Sequence, residues 1–141
     1  MPKLVLDINT VISGLLWKGN EFELLQKIEE SKAQFFVTKE ILAEIYQVLN
    51  YPKMAKYINK AGLSVDKLFE KVNSLSNIVI GPKLRENVVK EDKKDDKFIE
   101  CAVNAKADII VSGDEHLLKI KEYKGIKIMT TSEALKILGT N

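Results

Sequence analysis

The sequence predicts an α/β fold: a three-layer α/β/α sandwich with a central, mostly parallel sheet. Two observations lead to this prediction. Short segments with strand character alternate with longer segments whose apolar residues follow helical spacing. The predicted strands are apolar along their length, as expected for strands buried on both faces of a parallel sheet. The 141 residues suit one domain, predicted over residues 1–141.

The first predicted element is a buried strand over Lys3–Leu6, which runs directly into Asp7. A buried helix is expected over Val11–Trp17. A Gly-Asn pair interrupts the helical pattern, and a second helix is expected over Glu21–Ser31. The apolar segment Phe35–Val37 predicts the second strand.

The middle of the chain is predicted to be mainly helical. Thr38 is a credible N-cap for a helix whose apolar positions continue to Leu49. A proline interrupts this pattern and predicts a separate helix over Lys53–Ala61. Ser64 can cap a further helix over residues 65–73, and a strand is expected over Ile78–Ile80.

The C-terminal part completes the alternating pattern. Its predicted elements are a charged loop over Arg85–Lys94, a helix over Asp95–Lys106, strands over Asp108–Ser112 and Ile126–Met129, and a helix through Leu138. The last helix has a capping-box signature, because Thr130 is followed three residues later by Glu133.

The composition restricts the kind of metal site that the chain can build. Cys101 is the only cysteine and His116 the only histidine, so a thiolate zinc cluster and a multi-histidine site are both excluded within one chain. Any bound metal must be held mainly by oxygen ligands, which favours Mg²⁺ or Mn²⁺. The net charge of +2 does not by itself indicate a nucleic-acid-binding protein.

Acidic residues from four segments are predicted to meet at one edge of the sheet. Asp7 ends the first strand, and Asp114 follows the strand that ends at Ser112. Asp95 and Asp96 begin the helix that leads into that strand. Glu44 lies near the start of the helix that follows the second strand. In open α/β sheets ligands bind at the carboxyl ends of the strands, which is where all these carboxylates are expected.

Each acidic residue also has an ordinary structural interpretation. Asp95 can be an N-cap, Asp114 a turn residue, and Glu44 a solvent-facing helix residue. The group is more informative than its members, because clustered carboxylates repel one another and a divalent cation relieves that repulsion. Asn9 can orient Asp7 or a water molecule, or stabilise a turn. The Ser112 hydroxyl can support a neighbouring carboxylate or cap a turn.

The motifs in these segments resemble those of the PIN-domain family. Leu6–Thr10 resembles its opening Asp-x-Asn motif, and Glu44 matches the glutamate of its third major helix. Asp95–Ala102 resembles its third acidic motif and Ile110–Leu118 its last. The resemblance covers essentially the whole chain, and within the family it is greatest to the VapC-like toxins of bacterial and archaeal toxin–antitoxin pairs.

This resemblance implies an endoribonuclease that hydrolyses RNA phosphodiesters with Mg²⁺ or Mn²⁺. It implies that Asp7 and Asp114 are the principal ligands. Glu44 and either Asp95 or Asp96 would be further ligands or would position the attacking water. The implied partners are an RNA substrate, a second copy of the chain in a homodimer, and a small antitoxin protein. The alternatives are a catalytically silent PIN module that binds RNA or assembles with a partner, and a PIN-type DNA nuclease.

Several other residues are expected to lie near the same edge. Lysines 18, 39, 93, 94 and 97 can contact RNA phosphates or form an ordinary charged surface. Trp17 can stack on a base, but core packing or a dimer contact is the favoured expectation. His116 is expected to be a partly exposed residue at a helix start. The apolar runs are too short to cross a membrane and no signal-peptide pattern is present, so a cytoplasmic location is expected.

Overall fold

The computed structural model describes residues 1–89 and 93–139, except for the side chain of Lys93. Its strands are β1 (Lys3–Leu6), β2 (Gln34–Val37), β3 (Ser76–Ile78), β4 (Ile109–Val111), β5 (Glu122–Tyr123) and β6 (Ile126–Met129). Its helices are α1 (Ile8–Leu16), α2 (Asn20–Glu29), α3 (Lys39–Leu49), α4 (Pro52–Lys60), α5 (Val65–Leu75), α6 (Asp96–Ala105), α7 (Glu115–Leu118) and α8 (Thr131–Leu138). A 3-10 turn over Lys93–Asp95 precedes α6.

The strands form one sheet in the order β3-β2-β1-β4-β6-β5. All neighbouring pairs are parallel except β5 and β6, which are antiparallel. In the central pairs, Leu4 of β1 lies opposite Phe35 of β2 on one side and Ile109 of β4 on the other. The predicted fold class, an α/β/α sandwich around a mostly parallel sheet, is confirmed.

The central strands are buried because helices cover the sheet. Leu4, Val5 and Leu6 of β1 have no exposed surface, and neither has Ile110 of β4. The helix α6 packs on β1, β2 and β4, and α8 packs on α2 and β4. This arrangement explains why β1 and β4 are apolar at nearly every position.

The close packing of α1 on α2 depends on Gly14. A Cβ atom at this position would lie 2.6 Å from Leu25 Cδ1 and 2.8 Å from the carbonyl oxygen of Glu21. A larger residue would therefore push α2 away, since backbone atoms at such distances must move. The absence of a side chain at Gly14 therefore lets the first turn of α2 pack closely against α1.

Several sequence predictions need correction. The strand expected over Ile78–Ile80 is instead β3, which begins at Ser76 and ends at Ile78. It is an edge strand, and Ile80 beyond it is 82% exposed. The expected core packing of Trp17 is also wrong, because its side chain is 46% exposed and contacts the ring of Tyr57 edge-on, with the ring centroids 5.3 Å apart.

Other elements begin at residues that differ from those predicted, and one predicted loop lies partly outside the described residues. The helix expected from Val11 begins at Ile8, because Asp7 caps it. The short elements α7 and β5 were not predicted, and the charged loop ends in the 3-10 turn, while its residues 90–92 lie outside the described residues. Within the described ranges, no helix is both long and apolar enough to cross a membrane.

Candidate active site

Asp7 is held in a fixed orientation at the carboxyl end of β1. Its carboxylate caps α1, with Oδ1 accepting a hydrogen bond from the Thr10 backbone N–H at 2.9 Å. Its Oδ2 accepts from the Ser112 hydroxyl at 2.5 Å. The residue is only 7% exposed, and these hydrogen bonds offset the cost of burying its charge.

Ser112 connects Asp7 to the second predicted ligand, Asp114. The Ser112 hydroxyl is fully buried; it donates to Asp7 and accepts from the Asp114 backbone N–H at 2.9 Å. The Asp114 side chain caps α7 by accepting from the His116 backbone N–H at 2.8 Å. The predicted supporting role of Ser112 therefore has a specific geometric basis.

Glu44 forms an ion pair that the sequence did not predict. Its Oε1 lies 2.5 Å from Nζ of Lys97, whose side chain is 9% exposed, while that of Glu44 is 36% exposed. Lys97 is not the ordinary solvated lysine that was one of its two predicted roles, because its side chain is largely shielded from solvent and paired with a carboxylate. Contact of Lys97 with RNA stays a prediction. The positive charge of Lys97 reduces the mutual repulsion of the acidic group.

The adjacent residues Asp95 and Asp96 have different surroundings. The Asp96 Oδ1 accepts from the backbone N–H groups of Val88 and Val89, at 3.1 and 2.7 Å, and so holds the preceding loop against α6. Asp95 ends the 3-10 turn, and its side chain makes no capping hydrogen bond to α6. It instead lines the same cavity as Asp7 and Glu44. Asp95 thus lines the cavity that contains Asp7 and Asp114, whereas Asp96 does not.

These residues line a cavity of about 160 Å³, which we call the acidic cavity. Its lining residues are Asp7, Ile8, Asn9, Glu44, Val48, Asp95, Phe98 and Asp114. Four carboxylates from four separate segments thus line one space, together with apolar side chains. Asp96 lines a neighbouring cleft together with Lys94, Lys97 and Glu44, which lines both spaces.

The donor set of the acidic cavity fits a hard divalent cation, since carboxylate and amide oxygens are the ligands that Mg²⁺ and Mn²⁺ prefer. In the part of the chain that the structure describes, no three His, Cys, Asp or Glu side chains lie close enough to hold an ion by themselves. Mg²⁺ usually keeps several waters and takes one or two carboxylates directly. An ion here would be held by Asp7 and Asp114, with Glu44 and Asp95 able to bind its waters.

The remaining predicted residues are placed as follows. Asn9 is exposed and lines the acidic cavity. Lys18, Lys39 and Lys94 are exposed, which permits contact with phosphate. The side chain of Lys93 lies outside the described residues. His116 is 47% exposed at its side chain, as expected for a helix-start histidine, and its Nδ1 lies 3.8 Å from Asp114 Oδ1.

Two relationships in the site were not visible in the sequence. The Glu44–Lys97 pair joins residues of α3 and α6 that are far apart in the chain, and no local pattern indicates it. The hydrogen bonds from Val88 and Val89 to Asp96 depend on the path of the preceding loop. In the sequence, two adjacent aspartates, Asp95 and Asp96, were both candidates for one position in the site.

Comparison with known proteins shows the family of the chain. A family model of the PIN domain matches residues 3–116, a range that contains all four carboxylates of the acidic cavity. A protein of Methanocaldococcus jannaschii, described as uncharacterised, is 34% identical over 128 residues, which cover 89% of this chain and 80% of that protein. Nuclease-type function and a need for divalent metal ions are general properties of the matched family. The chain belongs to the PIN-domain family.

Proposed function

We propose that this protein is an endoribonuclease that depends on Mg²⁺ or Mn²⁺ and hydrolyses RNA in the acidic cavity. The observation that carries this proposal is the meeting of Asp7, Glu44, Asp95 and Asp114 in one small space at the carboxyl edge of the sheet. Carboxylates in such a space repel one another unless a cation is present. A bound divalent ion supplies a water of lowered pKa and neutralises charge that develops on the phosphate.

The side chains of the acidic cavity would bind the metal ion and position the attacking water. Asp7 and Asp114 bind the ion, and the Ser112 hydroxyl fixes their relative position. Hydrogen bonds from Thr10 and Ser112 leave lone pairs on both Asp7 oxygens for a ligand. Asp95 and Glu44 would orient the attacking water, and one of these two carboxylates would accept its proton.

Lys97 acts in this scheme through Glu44. By pairing with Oε1, it holds the Glu44 carboxylate in place and lowers the net negative charge that an incoming phosphodiester meets. The exposed lysines 18, 39 and 94 would contact flanking phosphates and make binding sensitive to salt. The apolar side chains of Phe98 and Val48 line the same cavity.

A cleavage assay tests the proposal. Purified protein is incubated with single-stranded RNA, structured RNA and DNA of matched sequence, each with Mg²⁺, Mn²⁺ or EDTA. We expect metal-dependent endonucleolytic cleavage of RNA that is lost in Asp114→Asn and kept in Glu115→Gln, which changes a carboxylate outside the acidic cavity. Cleavage of DNA alone would favour the DNA nuclease. Binding of RNA without cleavage under every metal condition would favour the silent PIN module.

The toxin role, the antitoxin and the homodimer rest on the sequence resemblance, and we propose them on that ground. If the protein is a toxin acting in the cytoplasm, its expression arrests growth, and Asp7→Asn abolishes the arrest. Co-expression with a small protein encoded beside it restores growth and yields a complex by affinity purification. Light scattering after size exclusion determines whether the chain is a dimer; a monomeric mass would reject the homodimer.

A further inference from the structure

A second cavity adjoins the acidic cavity and has a different chemical character. It has a volume of about 350 Å³ and shares Asn9 with the acidic cavity. Its distinctive lining is neutral and polar, with one acidic exception: Thr10, Ser13, Asn20, Glu21, Thr131 and Ser132. We call it the hydroxyl cavity. The Ser112 residue that holds Asp7 also lines it, so the two cavities lie side by side.

Two largely buried threonines in the hydroxyl cavity have hydroxyl groups that make no hydrogen bond within the described residues. Thr10 is 5% exposed and Thr131 is 6% exposed, and both line the cavity. The Thr10 backbone N–H donates to Asp7, but neither threonine hydroxyl has an intramolecular partner in the described ranges. Both hydroxyls are therefore open to the cavity and available to hydrogen-bond to a ligand or water that occupies it.

The start of α8 faces the same space. Thr130 and Glu133 form a reciprocal capping box, in which the Thr130 hydroxyl accepts from the Glu133 N–H at 3.3 Å. The capping box provides an acceptor for the Glu133 backbone N–H. The backbone N–H groups of Thr131 and Ser132 have no acceptor inside the helix. N–H groups at a helix start, together with the helix dipole, favour an anion such as phosphate.

The start of α2 completes the cavity and sets its charge. Gly19 provides no side-chain cap for this helix, and the packing at Gly14 brings Asn20 and Glu21 against α1. The Glu21 carboxylate repels an anion from this end. An anion in the hydroxyl cavity would therefore lie at the α8 end, close to Thr131 and Ser132.

From these observations we propose that the hydroxyl cavity binds a backbone phosphate of the nucleic-acid substrate, beside the phosphodiester that is cleaved. The phosphate accepts from the Thr131 and Ser132 backbone N–H groups and from the Thr131 and Thr10 hydroxyls. This inference rests on the proposed nuclease function, because it assigns to that active site a second subsite for the same strand. The subsite would position the strand without reading its bases.

Amide NMR spectroscopy of the whole protein titrated with inorganic phosphate tests the subsite independently of catalysis. We expect saturable shifts of the Thr131 and Ser132 amides. Thr131→Val, which keeps the shape and removes the hydroxyl, should weaken phosphate binding about five-fold, while Thr131→Ser keeps it near the wild-type value. Glu21→Gln should strengthen it about three-fold by removing the repelling charge.

The proposal is overturned if these amides do not shift, or if Thr131→Val binds phosphate as wild type does. A comparison of RNA substrates adds a second readout. With an oligonucleotide, Thr131→Val should raise KM with little change in kcat, and this effect should disappear with a dinucleotide that has no neighbouring phosphate. An equal effect on both substrates contradicts the subsite.

The phosphate titration also separates this proposal from the proposed function. In Asp7→Asn we expect loss of RNA cleavage with the Thr131 and Ser132 amide shifts preserved. If the wild-type protein cleaves no RNA but shows the shifts, the ribonuclease proposal fails and the anion site stands. If it cleaves RNA without the shifts, the subsite fails and the ribonuclease stands.

Discussion

The hydroxyl of Ser112 donates to Asp7 Oδ2 at 2.5 Å and thereby ties the end of β4 to the end of β1. Because the same oxygen accepts from the Asp114 N–H, one small side chain sets the relative position of two acidic residues. Both ends of the Asp7–Ser112 hydrogen bond are buried, so its loss affects folding as well as chemistry.

Replacing Ser112 by alanine tests this relationship. We expect Ser112→Ala to lower the free energy of unfolding by about 2 kcal/mol, since a buried carboxylate loses a donor. RNA cleavage at saturating metal should fall further than the folded fraction explains. Urea titration gives the first quantity and single-turnover rates the second. Ser74→Ala, at an exposed serine of α5, is the control; equal behaviour of the two variants would contradict this role.

Asp95 and Asp96 should respond oppositely to the same substitution. Asp95→Ala is expected to lower the cleavage rate per folded molecule far more than Asp96→Ala does, because Asp95 lines the acidic cavity. Asp96→Ala leaves the Val88 and Val89 N–H groups without their acceptor and should cost about 2 kcal/mol of stability. Its cleavage rate per folded molecule should stay near that of wild type. The reverse pattern would assign the catalytic role to Asp96.

The Glu44–Lys97 ion pair can be measured with a double-mutant cycle. Lys97→Met and Glu44→Gln, alone and together, should give a coupling free energy of about 1 kcal/mol in urea unfolding, since the pair is only partly shielded from water. Lys97→Met should also bind Mn²⁺ more tightly, because it removes a positive charge beside the acidic cavity. If the effects of the two substitutions on the free energy of unfolding are additive and Mn²⁺ affinity is unchanged, the ion pair contributes neither to stability nor to metal binding.

The capping box of α8 predicts a specific pH dependence. Hydrogen bonds from the Thr130 backbone and hydroxyl lower the pKa of Glu133 below its usual value. The stabilisation is therefore present above the unfolded-state pKa of glutamate and is lost as the pH falls through the lower folded-state pKa. The urea midpoint of wild type should exceed that of Glu133→Gln at neutral pH, and the difference should vanish in acid. A difference that persists in acid would assign the effect to something other than the ionised carboxylate.

The sequence predicted those features that depend on local pattern. Asp7 and Asp114 follow buried apolar strands, and parallel strands bring their carboxyl ends to one edge of the sheet. Thr38 and Thr130 were identified as caps because N-cap preference is local, and both cap as expected. The start of α1 was missed because Asp7 was interpreted only as a ligand, whereas its Oδ1 also caps the helix.

Features that depend on contacts distant in sequence could not be predicted. Asp95 and Asp96 are chemically identical, and only the loop position of Val88 and Val89 distinguishes them. Burial of Lys97 follows from how α6 lies against α3, which periodicity does not specify. The apolar Ile80 indicated a buried strand, but the position of β3 at the sheet edge leaves this residue exposed.

The most direct test of the central claim is the single-turnover rate of RNA cleavage by wild type and Asp7→Asn in Mn²⁺, with folding of both verified by thermal unfolding. Removing one charge from the acidic cavity, while keeping an acceptor for the Thr10 N–H, should lower the rate by about 100-fold, because the variant loses a principal metal ligand. Equal rates for the two folded proteins would show that the acidic cavity is not where the phosphodiester is cleaved.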